Sequence, residues 1–203
     1  MFTKGLAFQR RNCKEPVETV TIQLVISLFV EENAFASGNL GFGGVKLTMP
    51  PNELLALVDK LYFFSYVWTV GAATSSVYWE AFSDHARELF EEDCPQLGVP
   101  GRGLVFDYFV DMKEMKFKEW GDVVPSFEYN DAVPYFDLVV PTSDTVRFSY
   151  VMKALITVDK PCFITGVTGT GKTVCMQTLL NGLQPMPYDG GMGLVLLFLN
   201  FSA

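Results

Sequence analysis

The chain has 203 residues, 49% of them hydrophobic and 14% aromatic, with a formal net charge of −8. That apolar share excludes an intrinsically disordered chain, and the length suffices to bury a core in one domain or two small ones. The negative balance, with no basic stripe to neutralise phosphates, argues against a dedicated nucleic-acid binder.

Taken in chain order, the first apolar run is "VTIQLVISLFV", after "QRRNCK". It imitates a secretory signal, but Glu15 and Glu18 interrupt the basic region, and Glu31 and Glu32 stand where cleavage should be prepared. The second run, "LYFFSYVWTVGAA", is uncharged but too short to span a bilayer and reads as a core helix. Neither run therefore predicts a membrane partner. The four cysteines, Cys13, Cys94, Cys162 and Cys175, have no C-x-x-C spacing; Cys162 and Cys175, on a predicted strand and helix, are expected to be small buried thiols, and a reduced cytoplasmic setting fits best.

A helix is predicted over residues 50–71, "PPNELLALVDKLYFFSYVWTVG", opened by Pro50, Pro51 and Asn52 and closed at Gly71. Leu54, Val58, Leu61, Phe64 or Ser65, and Trp68 keep helical spacing, and the second half is apolar nearly all round, as in a buried helix. A second helix, residues 75–94, places Trp79, Phe82, Ala86 and Leu89 on one face. The single histidine, His85, falls on its polar side with no partner for catalysis or metal binding, so a solvated position is expected. Trp68, Trp79 and Phe82 read as core.

"QLGVPGRG", residues 96–103, lacks periodicity and is rich in Gly and Pro, which divides the chain into units 1–100 and 101–203. Beyond it come "LVFDYFVD", a short aromatic strand-like run, and the charged "MKEMKFKEWGD". A prolonged loop follows, with an extended piece at residues 137–140. Thr142 or Ser143 then caps a helix, "DTVRFSYVMKAL", with Asp144 favourably placed in its first turn.

The chemistry is concentrated in "GVTGTGKT", residues 166–173, which fits G-x-x-x-x-G-K-[ST] through Gly166, Gly171, Lys172 and Thr173. Polyphosphate demands many donors without side chains in the way. Glycines, here including Gly169, let backbone N–H groups turn inward, and the following helix offers its positive end. Lys172 would reach the β- and γ-phosphates and the Thr173 hydroxyl would ligate Mg2+. The context agrees: "PCFIT", residues 161–165, reads as a buried strand, and "KTVCMQTLLNGL" reads as a helix. In that helix Val174, Met176, Leu179 and Leu180 are apolar and Gly182 is the expected cap. An ordinary glycine-rich βα turn is the competing interpretation.

Hydrolysis on such a loop needs an acid closing a second apolar strand, to hold Mg2+ and position water. After Thr173 the one acid is Asp189, in "PMPYDGGMG", and the terminal strand "LVLLFLNFSA" ends without a carboxylate. The expectation is thus a chain that binds nucleotide but does not hydrolyse it alone, with no catalytic residue of its own, and that is a piece of a longer protein.

Further motifs carry a family resemblance. "VVPTSDTVRFSYVMKAL", "KPCFITGVTGTGKT" and "LFLNFSA" resemble the start of the third AAA+ module of dynein heavy chains, with its VPT-x-DT-x-R, G-x-T-G-T-G-K-[ST] and N-F-S-A patterns. "WGDVVPSF" resembles the W-x-x-x-V-P stretch that introduces that module. "LYFFSYVWTVGAAT" resembles the lid pattern F-x-x-x-x-W-S-x-G of the module before it, with Thr69 in place of the usual serine. "CKEPVETVTIQLVISL" is similar to the helical lead into that lid, whereas "EENAFASGNLGFGGVKLTMPP" departs from the pattern.

The resemblance is collinear over nearly the whole chain. It implies an α/β fold, a P-loop NTPase of AAA+ type with an incomplete parallel sheet, preceded by an α-helical lid region. It also implies part of an ATP-driven microtubule motor, in which this module binds ATP and regulates the principal ATPase site. The nucleotide would be held by Gly166, Val167, Thr168, Gly169, Thr170, Gly171, Lys172, Thr173 and Val174, with Val140, Pro141 and Thr142 against adenine and Thr173 on the metal. Implied partners are the neighbouring AAA+ modules and, through other parts of the heavy chain, dynein intermediate and light chains and microtubules. A cytoskeletal location follows, and the axoneme of cilia is favoured because most heavy chains of ciliated cells are axonemal. Two alternatives stand beside this: a non-catalytic scaffold derived from such a motor, and an unrelated P-loop phosphotransferase, whose loop ordinarily lies near the N-terminus.

Overall fold

The computed structural model describes residues 1–14, 50–129, 131, 138–157, 161, 162, 164 and 166–183. Helix α1 is Phe2–Asn12, with Arg10 and Arg11 in its last turn, where cations complement the helix dipole. Helix α2 is Pro51–Tyr66, started by Pro51 in the first turn, where its missing N–H costs nothing. It runs directly into a fully buried π turn, Val67–Gly71. Helix α3 is Trp79–Asp93, strand β1 Tyr108–Asp111 and strand β2 Lys116–Glu119. Helix α4 is Ser143–Thr157 and helix α5 is Lys172–Leu183.

One apolar cluster holds the first part together. It joins Leu57, Leu61, Phe64 and Trp68 of α2 and its π turn, Phe82, Ala86, Leu89 and Phe90 of α3, and Phe106, Phe109 and Trp120 around the β1–β2 hairpin. The long apolar helix expected at residues 50–71 is therefore core, although by length and composition it could cross a membrane. Its buried stripe differs from the expected one at the start. Leu57 is buried whereas Val58 is 37% exposed, because this end of α2 packs against the 3-10 turn Pro95–Leu97, whose Leu97 is buried.

The aromatic rings meet edge to face as well as stacked, which their quadrupoles favour. Phe63 lies edge-on to Phe90 with centroids 4.8 Å apart, Trp79 stacks on Phe106 at 4.2 Å, and Phe109 stacks on Trp120 at 4.5 Å. Gly71 is required here: a Cβ at that position would run into the rings of Phe82 and Phe106. The Thr74 hydroxyl and N–H both donate to the Gly71 carbonyl, at 2.6 and 2.9 Å, and turn the chain out of the π turn.

Segment 96–103 leaves the 3-10 turn Pro95–Leu97 at Leu97 and is irregular from Gly98 onward, and it is pinned to α3. Arg87 donates through Nε to the Pro100 carbonyl at 2.9 Å and through Nη2 to the carbonyls of Arg102 and Gly103. The chain then returns to the shared core through Val105 and Phe106. The hairpin β1–β2 is antiparallel, with Phe109 opposite Lys118 and Val110 opposite Phe117. Among the described residues this is the sheet present. The terminal strand of "LVLLFLNFSA" lies outside the described residues, as do 163 and 165 of the expected strand 161–165. Pro161, Cys162 and Ile164 are in no strand.

His85 departs from expectation. It is half-buried rather than open to solvent: the Phe8 ring of α1 stacks on it at 3.9 Å with planes 10° apart, and its Nε2 is buried without a hydrogen-bond partner. Burial lowers its pKa below the ordinary histidine value, with Glu88 pulling the other way. Helix α1, which covers it, is anchored inward by Gly5, Leu6 and Gln9, with Gly5 lying against the Tyr66 ring.

Candidate nucleotide-binding site

The loop at residues 166–171 is exposed, and helix α5 begins at Lys172. Gly169 and Gly171 have φ of 85° and 77°, a conformation that side chains resist, with no heavy atom within 4 Å of where a Cβ would stand. The residue types that the motif demands are thus the ones that this backbone path can accept. The Cys175 N–H donates to the Gly171 carbonyl at 2.9 Å and closes the first turn of the helix, so the N–H groups before it have no intrahelical acceptor.

Lys172 is folded back into this loop. Its Nζ donates to the carbonyls of Gly166 at 2.9 Å and Val167 at 2.6 Å, and to the Thr170 hydroxyl at 3.3 Å. Thr170 in turn donates to the Val167 carbonyl at 2.9 Å. The loop is therefore braced around a cation rather than open, and an incoming phosphate would replace one of these acceptors. Thr173 and Val174 are exposed on the first turn of α5. Gly182, expected to cap the helix, lies inside it instead, since the helical bonds continue to Leu183.

The second predicted segment, Val140, Pro141 and Thr142, leads into α4. Thr142 rather than Ser143 is the cap. Its hydroxyl accepts from the Thr145 N–H at 3.2 Å, while the Thr142 N–H donates to the Thr145 hydroxyl at 2.8 Å. This is a capping box with threonine in the place usually held by Glu or Gln. Val140 is 55% exposed, an apolar surface beside the capped helix start.

Helices α4 and α5 pack against each other and bring the two segments together. Cys175, two residues past Thr173, lies 3.6 Å from the Ser149 hydroxyl and 3.9 Å from the Thr145 carbonyl. Cys162 is likewise placed against α4, with its thiol 3.9 Å from the Met152 carbonyl. All four cysteines are free and only partly buried, so Cys162 and Cys175 are less enclosed than the expected buried thiols.

The donor set fits a nucleoside triphosphate with a divalent cation. It offers an ammonium, a helix start with its N–H groups, and the Thr173 hydroxyl, with no acid among residues 166–183 to repel phosphate. Among the described residues no cluster of three or more His, Cys, Asp or Glu is placed to hold a metal.

Sequence reading missed the role of one residue in its own motif. Arg147 of α4 is 8% exposed and pairs with Asp144 and with Asp107, 3.8 Å away. Its guanidinium lies 5.0 Å from the Trp79 ring centroid and 5.3 Å from that of Phe148. The spacing of Asp144 and Arg147 was a signal for the first pair; nothing in the sequence announces Trp79 or Asp107.

Comparison with known proteins follows the same division. The description "dynein heavy chain AAA lid domain" matches residues 1–122, and "P-loop containing dynein motor region" matches residues 127–203. The human dynein axonemal heavy chain 6 is 33% identical over 98% of this chain, and human dynein axonemal heavy chain 2 is 29% identical over 100% of it. Mouse dynein axonemal heavy chain 1 is 31% identical, again over 100% of this chain. The chain spans only 5%, 4% and 5% of those three proteins. With the phosphate loop inside one match and the aromatic helical core inside the other, the chain belongs to the dynein heavy chain family and has the AAA+ type of P-loop NTPase fold.

Proposed function

We propose that this chain is an ATP-binding part of a dynein motor, an ATP-driven motor that moves on microtubules, and that its loop-bearing module regulates the motor cycle. The observation that carries the reading is the loop itself. Lys172 is held at the mouth of α5 by carbonyls of its own loop, beside Thr173 and within the dynein motor-region match.

In this reading Lys172 binds the β- and γ-phosphates, and the N–H groups of residues 166–174 surround them. Val140, Pro141 and Thr142 lie against the adenine, and Thr173 is the residue that would hold Mg2+, whose charge offsets that of the phosphates when bound. The helical region before it forms the lid-like end of the preceding module, and the loop region starts the next one. Neighbouring modules of the heavy chain are the immediate partners; intermediate and light chains and microtubules would engage other parts of the motor. The axonemal relatives support a place in the cytoskeleton of cilia.

Titration of the 203-residue chain with a fluorescent ATP analogue tests this. Saturable, magnesium-dependent binding is expected, and Lys172→Ala should weaken it at least about tenfold, since a charge-assisted contact to phosphate is worth roughly 1.5–3 kcal/mol. Binding that is absent, or indifferent to Lys172→Ala, favours the scaffold reading and overturns this one.

A further inference from the structure

We propose that Arg147 is a positioning residue that, beside the ring contacts of Phe148 and Tyr150, lets the helical lid-like region set the geometry of the nucleotide site. The inference rests on the nucleotide reading of the loop given above.

Arg147 sits at a crossing of two chains of contacts. On one side its guanidinium covers Trp79, which stacks on Phe106, and it pairs with Asp107 of the 3-10 turn Val105–Asp107. All three partners belong to the lid-matching part of the chain. On the other side Arg147 is in the first turns of α4, two residues beyond Thr145, which builds the reciprocal cap with Thr142. Thr145 also meets Cys175 through its carbonyl, and Cys175 is in the first turn of α5, next to the phosphate loop. A shift of Trp79 or Asp107 is thus carried by one rigid helix start to both segments of the site.

The chemistry of the contact supports this role over simple packing. A buried guanidinium is costly unless it is fully paired, and here Nε has no partner. An apolar side chain would anchor α4 on Trp79 without that cost. A planar cation held between a ring and two carboxylates instead fixes direction as well as distance.

The test uses the 203-residue chain as wild type, Arg147→Lys, Asp107→Asn and Lys172→Ala, each measured for ATP affinity and melting temperature. Hydrogen exchange is followed at residues 76–83 and 104–107 with and without ATP. Asp107 is 44% exposed, and asparagine keeps the acceptor used by the Leu104 N–H at 2.8 Å, so this variant should fold. Expected is an affinity loss of about fivefold in both Arg147→Lys and Asp107→Asn, the lower range of coupling between sites. By reciprocity, ATP should slow exchange at 76–83 and 104–107 in the wild type and not in Arg147→Lys.

Affinity within twofold of wild type in Asp107→Asn and in a folded Arg147→Lys overturns the proposal, whatever happens to the melting temperature. So does wild-type binding without any change in exchange at those segments. If Arg147→Lys fails to fold, Asp107→Asn and the wild-type exchange decide. Absence of wild-type binding, or binding indifferent to Lys172→Ala, sinks the nucleotide reading itself and this inference with it.

Discussion

The aromatic region at residues 50–123 and the phosphate loop at residues 166–171 are built on opposite principles. In the first, Tyr66, Phe82 and Phe106 are fully buried, and rings contact rings across three elements and a hairpin. In the second, the loop residues stand in solvent, Val167 is 78% exposed, and the bonds that shape the loop are made by its own carbonyls and one lysine. Packing fixes the first region and docks α4 on it through Phe148, Tyr150 and Ala154, whereas local hydrogen bonding shapes the phosphate loop. Binding residues belong on the second kind of surface, provided that the first kind holds it in place.

The contrast can be broken most severely in the aromatic core. Phe106 touches Trp68, Trp79 and Phe82, and its truncation in Phe106→Ala should cost about 3–5 kcal/mol by the usual price of an aromatic cavity. Urea unfolding would show it, and a loss below about 1 kcal/mol would mean that the core is not organised around this ring.

Next in size is Gly71→Ala. The added methyl meets two packed rings, so about 1–3 kcal/mol is expected from overpacking. Gly169→Ala in the loop is the control. It meets open space and carries only the strain of its backbone angle, about 1–2 kcal/mol at most, so it should unfold at a higher denaturant concentration than Gly71→Ala.

Removal of the cap in Thr142→Ala should cost about 1 kcal/mol, and should loosen exchange in the first turn of α4 before anywhere in α2 or α3. Equal loosening across all three helices would show that the two regions unfold as one unit.

The smallest effect is one of pH. Because burial under Phe8 lowers the His85 pKa, the folded state prefers the neutral ring. The stability so contributed is complete above the unfolded value near 6.5, and it falls as pH drops from there through the lowered folded value. Mild acid should therefore loosen α1 from α3, seen as lower protection of residues 2–12 relative to their intrinsic exchange rates at each pH, and His85→Phe should remove that pH dependence. A profile that is flat in the wild type between about pH 7 and 5 would contradict the burial of this ring.

What was legible in advance follows the same contrast. The loop could be read because phosphate chemistry demands particular residue types in consecutive positions. Gly169, Gly171, Lys172 and Thr173 are neighbours in the chain before they are neighbours in space. Helix α2 could be read for a similar reason, from its proline start and apolar period. The choice of Leu57 over Val58 for burial could not, because it depends on where Leu97 returns, about forty residues later.

His85 and Arg147 lie at the far end of that scale. The polar side of α3 is solvated only until α1 covers it, and α1 has a basic end and few apolar residues to announce its docking. Arg147 has one partner within its own turn, Asp144, but Asp107 and Trp79 arrive from positions 40 and 68 residues away. By itself the sequence determined the loop, a capped helix start at Thr142 or Ser143, the buried character of α2 and the family. Those rest on interactions between residues close along the chain, or on patterns kept over it. Only the tertiary structure decided which face of α2 is buried, that His85 is covered, and that Arg147 bridges the two regions. Each of these is a contact whose loop-closure cost is repaid by packing that no local pattern encodes.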